Sequence, residues 1–317
     1  GTGNIAAAAV VGRAIAEKAI FSQPISEGGQ NWTSKPNQTQ CRKVDGGWLI
    51  NGFKKFASLA GYCDYYTIVC TETFEGVEPR HEDTMLFVVH KDAPGLSVKG
   101  DWDPLGMRGT NSRDLILKDV FVAEDDMLMP RGIFNKTLSN WPHMMITLSP
   151  TYMGVAQGAY DFTVEYLQGK TPGQPPIDRR MFATKRIAVS KMYARLASTR
   201  ALWWQAFSEA KPFPSKAEVM RMYAAQYNVM EAAQELAALA IRTCGGQSML
   251  KSLPLERMYR DSRCGALMLP YTSEIMEDYI GVLALYEMDE LETAPGDMDG
   301  ARTSLWRGDA GSIKSIR

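Results

Sequence analysis

The sequence is poor in the residues that most often carry metal and nucleophile chemistry. Its 317 residues include three histidines, at 81, 90 and 143, and five cysteines, at 41, 63, 70, 244 and 264. No two cysteines form a Cys-x-x-Cys pair and the histidines lack metal-ligand spacing, so no metal site is predicted. An odd cysteine count without such pairs fits a reducing, cytoplasmic compartment. No run reaches the roughly 18 apolar residues of a membrane span. A net charge of -1 gives no electrostatic reason to expect nucleic acid or an anionic membrane as a partner. The Gly-x-Gly-x-x-Gly fingerprint is also missing, which argues against a Rossmann cofactor domain.

What remains is an ordinary globular composition, 45% hydrophobic and 22% charged, in a chain long enough for two cores. Residues 4–18 predict an Ala-rich helix with Asn4 as its cap. Lys18 then runs into Ala19-Ile20-Phe21-Ser22 with almost no turn chemistry. From 21 to 125 short β-rich runs follow, at 41–44, 48–51, 65–72, 85–90 and 115–122. Asp45-Gly46-Gly47 turns the first pair into a hairpin. With no long helical period between them, these runs predict an antiparallel β-sheet or small barrel. From about 140 the pattern is helical. The stretches 179–211 and 215–243 contain no Gly or Pro, and 154–168 and 274–288 add two more helices. In 215–243 an apolar stripe recurs at spacings of three and four: Val219, Met222, Gln226, Met230, Ala233, Leu236 and Ala240. Four long helices with short links predict an antiparallel four-helix bundle. The fold class expected is therefore α+β, a β domain over 21–130 followed by a helical bundle over 140–290. Residues 1–20 precede them, and 291–317 form an irregular tail.

The segment 244–274 organises the rest. Gly245-Gly246 ends a helix where backbone can approach something bulky. Pro254 follows, and then the charged cluster Glu256, Arg257, Arg260, Asp261 and Arg263. Taken alone, this is a helix-turn-helix corner with a solvated charged face, or a turn that lines an anionic cofactor. Its pattern, with Trp102 to Val122 (WDPLGMRGTNSRDLILKDVFV) and Gly46 to Asp64 (GGWLINGFKKFASLAGYCD), resembles the acyl-CoA dehydrogenase superfamily of flavoproteins, in family order.

The resemblance implies an FAD between sheet and bundle. It assigns Phe56 and Ser58 to the flavin ring, and Ser22 and Gln23 to its pyrimidine edge. Gly245, Gly246, Thr272 and Ser273 would serve the adenylate half. Residues 1–20 would be the remnant of an N-terminal helical domain, with residues missing before Gly1 and a second candidate break between about 15 and 20. Arg108 is expected to be structural, tying the strand pair to the bundle, and Arg260-Asp261 to be an ion pair. A homodimer or homotetramer, or a heteromer, is implied as well.

The family's catalytic carboxylate has no counterpart. One usual position reads Leu269-Pro270-Tyr271-Thr272 and the other Gln168-Gly169-Lys170. An arginine expected after the β domain falls on Met145, and another, which reaches a neighbouring subunit's FAD pyrophosphate, is lost around Gly169. Glu165, Glu274 and Glu277 are the nearest acids, and His143, expected to open a helix, is the histidine to test as an acid or base. The candidate catalytic residues are thus His143 and Glu274. Three readings remain open. The first is α,β-dehydrogenation of an acyl-CoA thioester with a base from elsewhere. The second is a flavin monooxygenase with an apolar pocket near Met144, Met145, Met268 and Leu269. The third is a non-catalytic subunit completing a partner's site.

Overall fold

The computed structural model describes residues 5–28, 35–268 and 272–287. They form two compact units, one of residues 5–103 and 108–139, the other of 104–107 and 140–287. The expected α+β class is observed.

The strand-rich unit begins with helix α1 (Ile5–Glu17) and the short strand β1 (Phe21–Ser22). Lys18 takes a left-handed φ of 54° and the Ala19 N–H closes onto the Ala14 carbonyl at 2.9 Å, which ends α1 without glycine. Then come β2 (Gln40–Val44), β3 (Gly47–Ala57), β4 (Tyr65–Glu72), β5 (Thr84–His90), β6 (Leu96–Lys99), β7 (Arg113–Ala123) and β8 (Met127–Met129). The sheet order is β6-β7-β3-β2-β4-β5-β8, with β1 beside β4. The sheet is mostly antiparallel, but β4 lies parallel to both β2 and β1. The cause is steric. β3 already pairs with β2 and β7, so β4, reversing after β3, attaches along the far edge of β2 and runs in its direction. Strands β1, β6 and β8, two to four residues long, carry too little alternation to be predicted.

A buried charge holds this sheet's first loop. Lys54, on β3, is fully buried, and its Nζ lies 2.6 Å from Glu27 Oε1, itself only 2% exposed. Glu27 also accepts the backbone N–H groups of Gln38 (2.5 Å) and Thr39 (3.0 Å). Burial drives the Glu27 pKa up, but Lys54 and these donors prevail and hold it below the usual range; burial pulls Lys54 down. Thr39 crosses Gly52 so closely that a Cβ there would stand 2.6 Å from the Thr39 Cα.

The helical unit is built on α5 (Lys216–Cys244). Ser215 and Glu218 close a reciprocal capping box at its start. The whole predicted stripe from Val219 to Ala240 is buried, Gln226 included. Around it pack α3 (Ser149–Leu167), α4 (Ala183–Ser208), α6 (Leu255–Gly265) and α7 (Ser273–Leu285). Trp203 Nε1 donates to Ser149 Oγ at 2.9 Å, so α4 ends where α3 begins. Tyr166 donates to Gln247 at 3.1 Å, so α3 and α5 end together. These contacts give the up-down order of a bundle. The remaining helix, α2 (Ile133–Asn140), and α6 are short and were not expected as separate elements.

Two expected roles are corrected. Arg260 does not pair with Asp261. It binds Glu256 one turn earlier, at 2.9 Å, and the Leu105 carbonyl at 2.8 Å. Asp261 accepts the Met107 N–H at 2.6 Å. Adjacent helical residues point about 100° apart, so each found a different partner. Arg108 pairs with exposed Asp103 and is itself exposed, a surface contact. Backbone packing adds to these two bonds between residues 104–107 and α6: Gly106 presses against the Arg260 carbonyl with no room for a Cβ.

Two predictions follow from this packing. Lys54→Met should lower unfolding free energy by about 3–5 kcal/mol by stranding a buried carboxylate, and adding Glu27→Gln should recover part of it. Because the native carboxylate refuses protons that the unfolded chain binds, wild-type stability should fall below about pH 4.3. In urea titrations Glu27→Gln should flatten that acid limb; an unchanged limb would refute the assignment. Gly106→Ala should cost roughly 1–3 kcal/mol, while Asp261→Asn, which keeps an acceptor for the Met107 N–H, should shift the thermal midpoint far less.

Candidate functional site

In the strand-rich unit, the sequence-predicted residues gather where β3 ends. The β3–β7 register shifts between Lys54 and Ala57. Within that irregularity Phe56 adopts a φ of 54°, rare for a bulky residue, and its ring is turned outward, 61% exposed. Trp102 meets it edge-on, with ring centroids 6.2 Å apart. Two residues on, Ser58 is exposed and its carbonyl accepts the hydroxyl of buried Ser22. Its own Oγ lies 2.9 Å from Ser112 Oγ, and Ser112 lies 2.7 Å from Thr110 Oγ1. The result is a short hydroxyl chain with an open end at Ser58, next to an exposed aromatic face. Gln23 points elsewhere, into a groove of about 670 Å³ between α1 and the sheet, with Val11, Ile15 and Thr67. The structure thus brings Ser22 and Ser58 together, sets Phe56 beside them and separates Gln23. Thr110, Ser112 and Trp102 lie in the motif segment Trp102 to Val122 but were assigned no role in the site.

In the helical unit, Gly245 terminates α5 with φ 87° and ψ -171°, a conformation that favours glycine. Nothing lies within 4 Å of where a Cβ would stand on Gly245 or Gly246, so this backbone is open to a neighbour. Thr272 and Ser273 are already engaged at the start of α7. Thr272 Oγ1 caps the Ile275 N–H at 3.3 Å, and buried Ser273 donates to Glu231 at 2.5 Å. Each keeps spare capacity, Thr272 a donor and Ser273 an acceptor.

The two candidate catalytic residues differ sharply. Glu274 is an exposed first-turn residue of α7. His143 sits near the start of the 3-10 helix Pro142–Ile146 and is 4% exposed. Neither ring nitrogen has a hydrogen-bond partner. Burial lowers its pKa, with Glu218 and Glu209 pulling the other way, so the imidazole is neutral at pH 7. Buried Tyr152 and Gln226 also carry unpartnered oxygens, which the apolar periodicity of their helices concealed. Among the described residues of this unit no carboxylate is buried; Glu165, Glu274 and Glu277 are all exposed. Leu269, Pro270 and Tyr271, the side chain of Met145 and the tail from 288 lie outside the described residues. No metal-holding cluster occurs among the described residues, the five cysteines are free, and no described helix is long and apolar enough to cross a membrane.

Comparison with known proteins agrees with this architecture. L-evernosamine nitrososynthase from Micromonospora is 31% identical over 258 residues, which cover 76% of this chain and 58% of that protein. Human mitochondrial short-chain specific acyl-CoA dehydrogenase is 27% identical over 243 residues, covering 75% of this chain and 57% of the enzyme. The chain therefore spans under three fifths of either relative. The FMN-bound structure of TdsC from Paenibacillus sp. A11-2 shares the fold, with a TM-score of 0.75 at 18% identity over 86% of this chain and 72% of TdsC. The family model for the acyl-CoA dehydrogenase middle domain matches residues 25–120, and that for the C-terminal domain matches 134–281. Two consecutive parts of one family in their natural order cover most of the sequence, and the chain belongs to the acyl-CoA dehydrogenase family.

Proposed function

We propose that this protein is an FAD-dependent oxidoreductase whose reaction needs no carboxylate base, and so belongs with the flavin monooxygenases of the family. The observation that carries the reading is the absence of any buried carboxylate among the described residues of the helical unit, beside a buried, neutral and unpartnered His143. Abstraction of a proton next to a thioester carbonyl requires a positioned base. Gln168-Gly169-Lys170 offers none, and Gly169, with φ 67° and backbone at 2.9 Å from a would-be Cβ, has no room for a side chain. The names of two relatives, a nitrososynthase and, for TdsC, a dibenzothiophene monooxygenase, support the same direction.

The residues present fit a flavin. Phe56 offers an exposed flat apolar face, Ser58 an open hydroxyl anchored through Ser112, and Gly245-Gly246 unobstructed backbone for a phosphate-bearing group. When bound, the cofactor would supply two-electron redox chemistry, with dioxygen as an electron acceptor. The protein's part is positional and protonic. Trp102 limits the swing of the Phe56 ring, and Ser22 fixes the Ser58 backbone so that its Oγ keeps one orientation. His143, free at both Nδ1 and Nε2, can take or give a proton at either atom without first breaking a hydrogen bond. The free cysteines suit a reducing cytoplasm, and the exposed Ile187, Tyr193 and Trp204 of α4 suit a homo-oligomer. Dehydrogenation of an acyl-CoA is the second reading, favoured by the resemblance to the short-chain dehydrogenase; its base would be an exposed acid such as Glu274.

The test is anaerobic mixing of the flavin-loaded protein with a panel of acyl-CoAs. The oxidised-flavin band should persist, and substrate-dependent oxygen uptake should follow reduction by an external flavin reductase. Rapid bleaching by an acyl-CoA, abolished in Glu274→Gln, would overturn the proposal. His143 makes a separate prediction. The unfolded chain binds a proton near pH 6.5 that the buried ring refuses, so native stability should decline as pH falls below that value. His143→Leu should remove this part of the decline, read as a pH-dependent gap between the two urea midpoints. A constant gap from pH 8 to 5 would exclude a buried neutral ring.

A further inference from the structure

Several hydroxyls of this chain are locked as donors. Ser22, Thr137 and Thr163 each give their proton to a backbone carbonyl, at 2.5, 2.8 and 2.7 Å, and a carbonyl can only accept. The hydroxyls beside Phe56 are arranged differently. Among the described residues, Ser58 Oγ bonds Ser112 Oγ alone, at 2.9 Å, and Ser112 Oγ bonds only Ser58 and, at 2.7 Å, Thr110 Oγ1. In each link either oxygen can be the donor.

A hydroxyl has one proton and two lone pairs, so the protons of such a chain can run toward Ser58 or away from it. When they run toward it, Ser58 offers a donor to whatever lies outside. When they run away, it offers an acceptor. The switch needs no proton to leave the chain, because each hydroxyl only turns about its C–O bond.

The oxygens themselves are held. Ser22 anchors the Ser58 carbonyl, and the Leu59 N–H donates to the Thr110 carbonyl at 2.7 Å. Asn111 adopts a left-handed φ of 45°, which asparagine tolerates, and its Nδ2 donates to the Ala60 carbonyl at 2.8 Å. Ser112 is 6% exposed, while Ser58 is exposed and Thr110 half-buried. The chain thus has a sealed middle between two accessible ends.

A reversible hydroxyl is useful beside a ligand that itself changes from acceptor to donor. A flavin ring does so, since its N5 carries a lone pair when oxidised and an N–H when reduced. With Ser112 in place, Ser58 can face either form and keep its own proton engaged. Without Ser112, facing the reduced form would leave the Ser58 proton with no acceptor, and an orphaned buried donor costs more than an unfilled lone pair. We propose that Ser112 is a positioning residue that lets the Ser58 hydroxyl turn from donor to acceptor when a bound redox ring is reduced, with Thr110 completing the chain. The flavin reading supplies the ring, and this assignment rests on it.

The test is anaerobic titration of the full chain with oxidised FAD and with dithionite-reduced FAD, read as the ratio of the two dissociation constants. Ser112→Ala should weaken reduced FAD by about tenfold, and oxidised FAD by no more than about threefold. A residue that merely shapes the loop would weaken both forms alike. Ser112→Thr, which keeps the hydroxyl, should return the ratio to within about twofold of wild type. In a Ser58→Ala background, Ser112→Ala should leave the ratio where Ser58→Ala alone puts it. Thr110→Val breaks only the far link and should shift the ratio in the same direction by about threefold; it carries the test should Ser112→Ala fail to fold. A ratio unchanged in the folded variants, or changed equally with and without the Ser58 hydroxyl, would overturn the proposal and leave the flavin reading standing. Wild type that takes up FAD in neither state would remove both.

Discussion

The strand-rich unit depends on one buried ion pair. A lysine ammonium without solvent is tolerable only when it is paired, and Glu27 supplies the opposite charge while also taking two backbone N–H groups. One carboxylate therefore ties together three pieces of chain distant in sequence: the segment after β1, the start of β2 and the middle of β3. Ser22 lies just before the first of these pieces, in β1, and Phe56 just beyond Lys54 on β3. Their placement beside one another is a consequence of satisfying a charge, reinforced where Thr39 crosses Gly52 too closely for any side chain.

The helical unit rests on a different constraint, close packing around α5. Alanines at 225, 232, 233, 237 and 240 are fully or almost fully buried and let neighbouring helices approach. At Gly265 the fit leaves no room even for a methyl group against Met230 and Tyr152. Against such a background, the unpartnered atoms of His143, Tyr152, Thr171 and Gln226 are conspicuous, because native interiors satisfy nearly all of their polar groups. They occur in a unit where nothing lies within 4 Å of a would-be Cβ on Gly245 or Gly246.

The correction at Arg260 and Asp261 carries a wider lesson about charged motifs. Read as a string, Arg-Asp looks like a pair; on a helix, neighbours diverge and each residue serves a separate backbone group, the Leu105 carbonyl and the Met107 N–H. Within the charged cluster of α6, Arg260 and Asp261 clamp residues 104–107, while Arg257 and Arg263 are exposed.

Local pattern was enough to specify much of this protein. The run 65–72 is β4 to the residue, and the stripe from Val219 to Ala240 is the buried face of α5, because strand and helix periods are written directly into side-chain order. The three motif segments carried the family, and with it the α+β class. Short elements such as β1, β6, β8 and α2 were not legible, since two to eight residues hold too little period to register. Partnerships were illegible for a stronger reason. That Lys54 would be buried on Glu27, that Ser58 would reach Ser112, and that Arg179 would lie over the Tyr166 ring depend on distances between residues apart in sequence. Periodicity determines which way a side chain faces along its own element; only the packed chain decides what it meets there.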